Sequence, residues 1–290
     1  MSAADSLRLV VLAACWGLAF VFIRVAVQPL GPFVLVELRG LLACVVLLVY
    51  ARLSGVAIDW GRHWRQFLAI GALGSALPFT LIALAQTVLS ASYAVVLLTM
   101  APLFSALIAA VWLGDRLTLR KIAGLLLGLV GVALLTGFTP DYASAAPAWA
   151  VALALLTAAL YGVAGVYSKR NAVGMTPLAA AAGSQFGAAL LLLPLALVFP
   201  PSAAPSLLEW LNVAALALFS SALAFILYFR LIDSIGPVKT VSVNYLTPLF
   251  GVAGGVLALG EPLTANLLAG LALILTGVTL VMGQGRRSAS

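Results

Sequence analysis

The hydrophobic residues of this chain form continuous runs, which short polar segments separate. Two of these runs are LAIGALGSALPFTLIALA at 68–85 and LLAGLALILTGVTLVMG at 267–283. A transmembrane strand would alternate apolar and polar positions over about 10 residues, whereas a helix needs about 20 apolar residues to cross a bilayer. Lipid offers the backbone no hydrogen-bond partner, so each run must satisfy its own amides and carbonyls as a helix. The pattern therefore predicts an all-α integral membrane protein.

Ten transmembrane helices are predicted, and the connections between them are too short to form a soluble domain. Asp5 and Arg8 precede an apolar run that is too long for a cleaved signal peptide, so we expect the first helix to be retained. The predicted helices span 7–27, 32–51, 65–85, 90–113, 118–137, 148–168, 176–199, 207–230, 236–259 and 263–283.

The composition agrees with this class. Apolar residues make up 64% of the 290 residues and charged residues 8%, whereas about a quarter of a soluble domain is charged. The net charge of +7 would suggest nucleic acid as the partner of a soluble protein. Here the basic residues are scattered over six segments and form no continuous stripe, so a nucleic-acid interface is excluded.

The positions of the basic residues predict the orientation. Thirteen of the 15 Lys and Arg residues lie at the N-terminus, in the even-numbered connections or at the C-terminus. The odd-numbered connections carry Asp141, Glu209 and Glu261 instead. Because positive charge is retained on the cytoplasmic side, both termini are predicted to be cytoplasmic. That arrangement requires an even number of spans, in agreement with ten.

One pattern occurs twice in the chain. MAPLFSALIAAVWLGDRLT at 100–118 and LTPLFGVAGGVLALGEPLT at 246–264 share Pro, Phe, Gly, an acidic residue and Thr without a gap. SALPF at 75–79 matches SALAF at 221–225 with the same offset of 146 residues. An apolar composition explains shared Leu and Ala but not these other residues. The sequence therefore predicts an internal duplication.

The duplication divides the chain into a first repeat, 1–140, and a second repeat, 147–285, each with five helices. Because five is odd, the second repeat crosses the membrane in the opposite sense. Such an inverted-topology repeat implies a pseudo-two-fold axis in the membrane plane, as in many secondary transporters. Two inverted repeats supply the two conformations that alternating access requires.

The ending P-L-F…G-E-x-L-T…G-V, in a repeat of five plus five helices, resembles the EamA family of the drug/metabolite transporter superfamily, and within it the YddG-type amino-acid exporters. The resemblance implies a bacterial inner-membrane exporter of small metabolites, above all aromatic or other neutral amino acids, that works as a monomer around a central cavity. Carriage of another solute, such as a sugar, a nucleobase or a cationic drug, with or without proton coupling, stays open. The first repeat departs from the motif at Asp115 and Arg116.

Prolines and polar or aromatic residues inside the helices are the candidates for transport. Pro78, Pro102 and Pro248 each remove a backbone hydrogen bond, so we expect hinges there. Polar side chains beside these prolines, and aromatic side chains on neighbouring helices, suit a cavity wall, although packing and helix–helix hydrogen bonds are the alternatives. The predicted substrate-binding residues are Trp16, Phe20, Phe79, Tyr93, Thr99, Tyr161, Ser221, Phe225, Tyr228, Asn244 and Tyr245.

Small residues inside the predicted helices are assigned to packing. Cys15 and Cys44 are interpreted as apolar packing residues and not as a disulfide. Gly124, Gly128 and Gly131 share one face of the fifth helix, where they would let another helix approach closely.

Glu37 is the one acidic residue that falls well inside a predicted helix. We expect it to form a structural ion pair with Arg24, which favours facilitated diffusion or exchange over proton coupling. No cationic residue is evident in the predicted cavity, which disfavours a nucleotide sugar as the solute.

Two other functional classes lack support in the sequence. The single histidine, His63, is interpreted as a surface residue, and the chain has no HExxH, G-x-S-x-G or P-loop motif. The sequence therefore predicts no enzyme, no cofactor and no metal site. A channel would show rotational assembly or a filter loop, and the inverted repeat with short connections argues against one.

Overall fold

The computed structural model describes residues 2–115, 117–136, 146–172 and 174–282. Within these ranges the chain is helical and contains no strand. Eight helices are long and apolar enough to cross a membrane, and one shorter apolar helix accompanies them. These findings confirm the all-α, integral membrane class. Arg116, Asp141 and the predicted helix ends at 137 and 283 lie outside the described residues.

We number the helices in chain order. They are α1 (Ala3–Leu53), α2 (Trp60–Ala85), α3 (Ala91–Leu113), α4 (Leu119–Thr136), α5 (Ala148–Asn171), α6 (Pro177–Val198), α7 (Leu207–Ile235), the shorter α8 (Val243–Leu259) and α9 (Ala265–Met282).

Helix α1 is broken near its middle. A straight helix of 51 residues would measure about 75 Å, whereas the hydrocarbon core of a bilayer is about 30 Å thick. Gly31 lies at the break, between Pro29 and Pro32, with φ 72° and ψ 161°, a backbone conformation that is essentially restricted to glycine. The break divides α1 into a first arm, 3–30, and a second arm, 32–53, and α1 as a whole packs against α6, α7 and α8.

Two hydrogen bonds define the two ends of the bundle. At the end that we call the terminal end, Asp5 accepts a hydrogen bond from Ser234 of α7, 3.0 Å away. At the opposite end, which we call the Gly31 end, the backbone N–H of Ser202 donates to the carbonyl of Pro29 over 3.0 Å. Both contacts tie the first arm of α1 to the second half of the chain.

Two transmembrane helices contain a π-helical stretch. In α2 this stretch is Ala72–Ala76, directly before Pro78, and in α7 it is Leu218–Leu223. The two stretches begin 146 residues apart, at the offset of the sequence repeat. Single π-turns inside α-helices occur frequently at functional sites.

The other two predicted hinge prolines differ from one another. Helix α3 is interrupted at residues 99–100, and Pro102 lies in the first turn of the segment that follows. Pro248 lies inside the uninterrupted helix α8, and the nearest helix break precedes it at residues 241–242. A role as a hinge stays a prediction for all three prolines.

Helices α4 and α9 approach each other along a glycine seam. A Cβ atom added to Gly124 would lie 2.6 Å from the carbonyl oxygen of Gly277, and one added to Gly131 would lie 2.9 Å from the carbonyl oxygen of Gly270. These distances confirm that the glycine face of the fifth predicted helix is a close-packing surface. At the repeat offset of 146, Gly124 corresponds to Gly270 and Gly131 corresponds to Gly277. The repeat therefore relates the contact between Gly124 and Gly277 to the contact between Gly131 and Gly270.

Cys15 and Cys44 are buried and free, in agreement with their predicted role in packing. His63, predicted to lie on the surface, is only 8% exposed, so that prediction was wrong. The reason is its place in the first turn of α2, where its ring lies 6.2 Å from that of Phe67.

Candidate functional site

The predicted aromatic residues fall into three apolar clusters. Phe20 and Phe79 are buried in the largest cluster, which also packs against Tyr93, Tyr161 and Tyr245. Trp16 and Tyr228 pack against a second cluster, with their ring centroids 5.5 Å apart. Phe225 packs against a third cluster. The structure therefore brings most of these residues into the interior but does not unite them in one wall.

A buried arginine stands at the centre of the strongest polar group. Arg39, on the second arm of α1, is 5% exposed. Its Nε donates a 2.8 Å hydrogen bond to Ser221 Oγ in the π-helical stretch of α7. Its guanidinium carbon lies 3.6 Å from the centroid of the Phe79 ring. Two predicted site residues, Ser221 and Phe79, thus contact a buried cation.

The expectation that the interior contains no cation was therefore wrong. Arg39 is absent from the predicted site residues, although it lies well inside α1, which continues from Pro32 without interruption as far as Leu53. An arginine that interrupts an otherwise apolar run was the signal that could have found it.

A second polar pair mirrors the Arg39 contact. Gln185 Nε2 of α6 donates to Ser75 Oγ over 2.9 Å, and both side chains are buried. Adding 146 to Arg39 gives 185, and adding 146 to Ser75 gives 221. The repeat therefore relates the two contacts to each other, and each of them joins the two halves. The contact of Arg39 is cationic, whereas the contact of Gln185 is neutral.

The predicted ion pair between Glu37 and Arg24 does not form. Arg24 Nη1 donates instead to the carbonyls of Gln86, at 2.6 Å, and Thr87, at 2.9 Å. The carbonyls of Gln86 and Thr87 directly follow the C-terminus of α2, where the helix dipole favours a cation, which is the physical reason for the difference. Glu37 is 4% exposed, and neither of its carboxylate oxygens has a hydrogen-bond partner among the described residues.

Three other predicted site residues form no hydrogen bond or ring contact with Arg39 within the described residues. The hydroxyl of Thr99 donates within its own helix, to the carbonyl of Val95 over 3.1 Å. The Tyr245 hydroxyl contacts the sulfur of Met282 at 3.7 Å. Asn244 is half-buried in the first turn of α8. Their contact with a solute stays a prediction.

A contact that the sequence did not indicate ties the two halves together at the Gly31 end. The carboxylate of Glu261 accepts hydrogen bonds from the backbone N–H groups of Ala91, at 2.6 Å, and Ser92, at 2.9 Å. Both groups belong to the first turn of α3, where a negative charge is favoured. We call this contact the Glu261 latch.

The repeat equivalents of these contacts differ at the terminal end. Asp115, the repeat mate of Glu261, is exposed. Lys169 is exposed as well, and it is the repeat mate of Arg24 at the offset of 145 residues that relates the first helices of the two repeats. Within the described part of the chain, neither side chain forms a hydrogen bond with the other half. The Glu261 latch is thus made at the Gly31 end, whereas its repeat equivalent at Asp115 is not made at the terminal end.

Two open cavities of the described residues are lined by other residues than Arg39 and its contact partners. One, of about 340 Å³, lies beside the connection between α1 and α2, and the other, of about 390 Å³, lies between the first arm of α1 and Phe219. No predicted substrate residue lines either cavity. No group of three His, Cys, Asp or Glu residues within the described ranges could hold a metal ion.

Comparison with known proteins gives whole-chain matches. An uncharacterized transporter of Archaeoglobus fulgidus is 27% identical over 273 residues, which cover 92% of this chain and 94% of the relative. The probable terminal-alkyne amino-acid exporter of Streptantibioticus cattleyicolor is 29% identical, with 94% and 91% covered. The uncharacterized inner membrane transporter YedA of Escherichia coli is 28% identical, with 92% and 86% covered.

A solved crystal structure matches the fold over 100% of both chains, with a TM-score of 0.67 and 23% sequence identity. The model of the EamA-like transporter family matches residues 6–137 and again residues 148–283. The two matches together cover most of the chain and correspond to its two halves. The protein belongs to the EamA-like transporter family.

Proposed function

We propose that this protein is a secondary transporter that exports small metabolites, above all aromatic or other neutral amino acids, across the bacterial inner membrane by alternating access. The observation that carries the proposal is the Glu261 latch, which joins the two halves at one end of the bundle while its repeat equivalent at Asp115 is unmade at the other. The names of the Streptantibioticus cattleyicolor and Escherichia coli relatives support the solute class and the location.

The topology proposed for this function has ten spans. The two arms of α1 count separately, and the shorter α8 completes the number. The repeats, 1–140 and 147–285, are inverted, and the distribution of basic residues supports cytoplasmic termini. On this assignment the terminal end faces the cytoplasm and the Gly31 end faces outward.

The conformation described here would then be closed to the outside. The Glu261 latch closes the Gly31 end, and its equivalent at Asp115 is open. Transport would break this latch and form its counterpart at Asp115. The equivalent of Ala91 is Pro237, which has no N–H to donate to Asp115. The outward-closed state therefore has one more latch hydrogen bond available than its counterpart.

A second candidate is the same carrier with proton coupling. Glu37 favours it, because a carboxyl group buried in a transmembrane helix without a partner is costly as an anion and is a functional candidate by default. In this variant of the proposal Glu37 would bind a proton in one conformation and release it in the other.

The test is solute flux into proteoliposomes that contain the purified protein. Labelled tryptophan, phenylalanine, threonine and methionine would be compared with a nucleotide sugar and a cationic drug, with and without a proton gradient. Amino-acid flux without a gradient is the expected result, and flux only with a gradient would favour the second candidate. Transport of another solute alone would refute amino-acid export.

A pair of variants tests the predicted contact at α8. Asn244→Ala should reduce amino-acid flux while the protein stays folded. Asn212→Ala is the matched control, because the Asn212 amide donates to the Leu208 carbonyl of its own helix, 2.8 Å away. Equal flux in both variants would remove Asn244 from the site.

A further inference from the structure

The geometry points to Arg39 as the residue that binds the carboxylate of the transported solute. This inference rests on the proposed transport function and adds to it the chemical group that the solute must carry. It also assigns a role to a residue outside the predicted site. The argument depends on the burial of Arg39, on its unused hydrogen-bond donors and on the groups that hold its guanidinium in place.

Arg39 is a buried cation without a counter-ion. No acidic side chain of the described residues lies within 4.0 Å of it, and the ion pair found in those residues joins Arg8 and Asp5 near the N-terminus. A charge removed from water is costly unless an opposite charge and hydrogen bonds compensate it. An anionic group of the solute would supply both.

The hydrogen-bond donors of Arg39 are largely unused. A guanidinium carries five N–H groups, and the one at Nε is donated to Ser221. The N–H groups of the two terminal nitrogens have no partner among the described residues. They lie in one plane in a fork, which matches the two oxygens of a carboxylate.

The surrounding residues fix the plane of this fork. Phe79 covers one face of the guanidinium at 3.6 Å, and Ser221 holds its Nε edge. Ser221 lies in the π-helical stretch of α7 and Phe79 lies on α2, so the guanidinium is held by one helix from each half. A carboxylate bound there would be held by groups whose relative positions change when the halves move.

The repeat equivalent of Arg39 is neutral. Gln185 stands at that place, and its amide is engaged with Ser75. Among the described residues, the interior therefore presents a single cation of this kind, which suits a solute with one carboxylate. A solute with two carboxylates would bring a second negative charge into the membrane without a partner.

The experiment compares solutes that differ only at this group. Tryptophan, tryptophanamide and tryptamine would be tested as competitors of labelled tryptophan with the unchanged protein in proteoliposomes, and as stabilisers of the detergent-solubilised protein against heat. Tryptophan should bind at least about 10-fold more tightly than the amide or the amine, because hydrogen bonds to charged groups are the strong ones. Equal potency of the three compounds would overturn the inference.

Variants then locate the effect. Arg39→Gln should raise the KM for tryptophan at least about 10-fold and leave the binding of tryptamine unchanged, and Arg39→Lys should restore part of the affinity. Arg52→Gln, an exposed arginine on the same arm, is the control. Equal losses for tryptophan and tryptamine in Arg39→Gln would show a structural role only. If the unchanged protein transports no amino acid but does transport another monocarboxylate in an Arg39-dependent manner, the proposed substrate fails and the inference stands.

Discussion

The glycine seam between α4 and α9 allows a sharp test of the packing. A Cβ atom at Gly277 would lie 2.5 Å from the carbonyl oxygen of Gly124, whereas real Cβ atoms essentially never approach another heavy atom within 3.0 Å. Gly277→Ala therefore requires a displacement of about 0.5 Å. The atom in the way belongs to the backbone and cannot rotate aside, so the two helices must separate.

The magnitude follows from two opposing terms. Overpacking of this kind costs about 1–3 kcal/mol, and alanine gains about 0.5–1 kcal/mol over glycine inside a helix. Gly165→Ala is the matched control, since Gly165 also lies inside a helix but nothing is within 4 Å of its added Cβ. Gly165→Ala should therefore be stabilised by about 0.5–1 kcal/mol, the gain of alanine over glycine inside a helix, without any packing cost. The difference between the two variants then isolates the packing cost of about 1–3 kcal/mol.

The assay is reversible unfolding of the purified protein in mixed micelles with increasing denaturing detergent. We expect a lower midpoint for Gly277→Ala than for the unchanged protein, and a slightly higher midpoint for Gly165→Ala. Equal midpoints for the two variants would refute the close approach of α4 and α9.

Three further predictions concern the latch, the α1 break and the neutral pair. Glu261→Gln weakens the charge-assisted hydrogen bonds to the first turn of α3, so the hydrogen-exchange rate of the backbone amides of residues 91–98 should rise roughly five- to tenfold. Asp115→Asn is the control and should leave that rate unchanged. Gly31→Ala should lower the free energy of unfolding by about 1–3 kcal/mol, because the backbone conformation at this position suits only glycine. The added Cβ atom itself would meet no other atom within 4 Å. An unchanged midpoint in the same unfolding assay would contradict this prediction. Ser75→Ala leaves the buried Gln185 amide unpaired and should cost about 1–3 kcal/mol, which a double variant with Gln185→Leu should largely recover.

The sequence by itself determined the membrane class, the helical segments and the family. These properties depend on residues close together in the chain: an apolar run is a transmembrane helix because lipid forces its backbone to bond within the run. The glycine face of the fifth predicted helix was also predictable from helical spacing alone. The partner of that face, the glycine face of α9, was not.

The tertiary structure decided which side chains meet. Phe79 and Ser221 were predicted as site residues one by one, but the cation that they contact comes from the second arm of α1 and was missed. Arg24 bonds the end of α2 and not Glu37, because unpaired carbonyls are available there. Spacing along a helix gives the direction of a side chain, whereas its partner lies on another helix whose position only the packing of the whole bundle establishes.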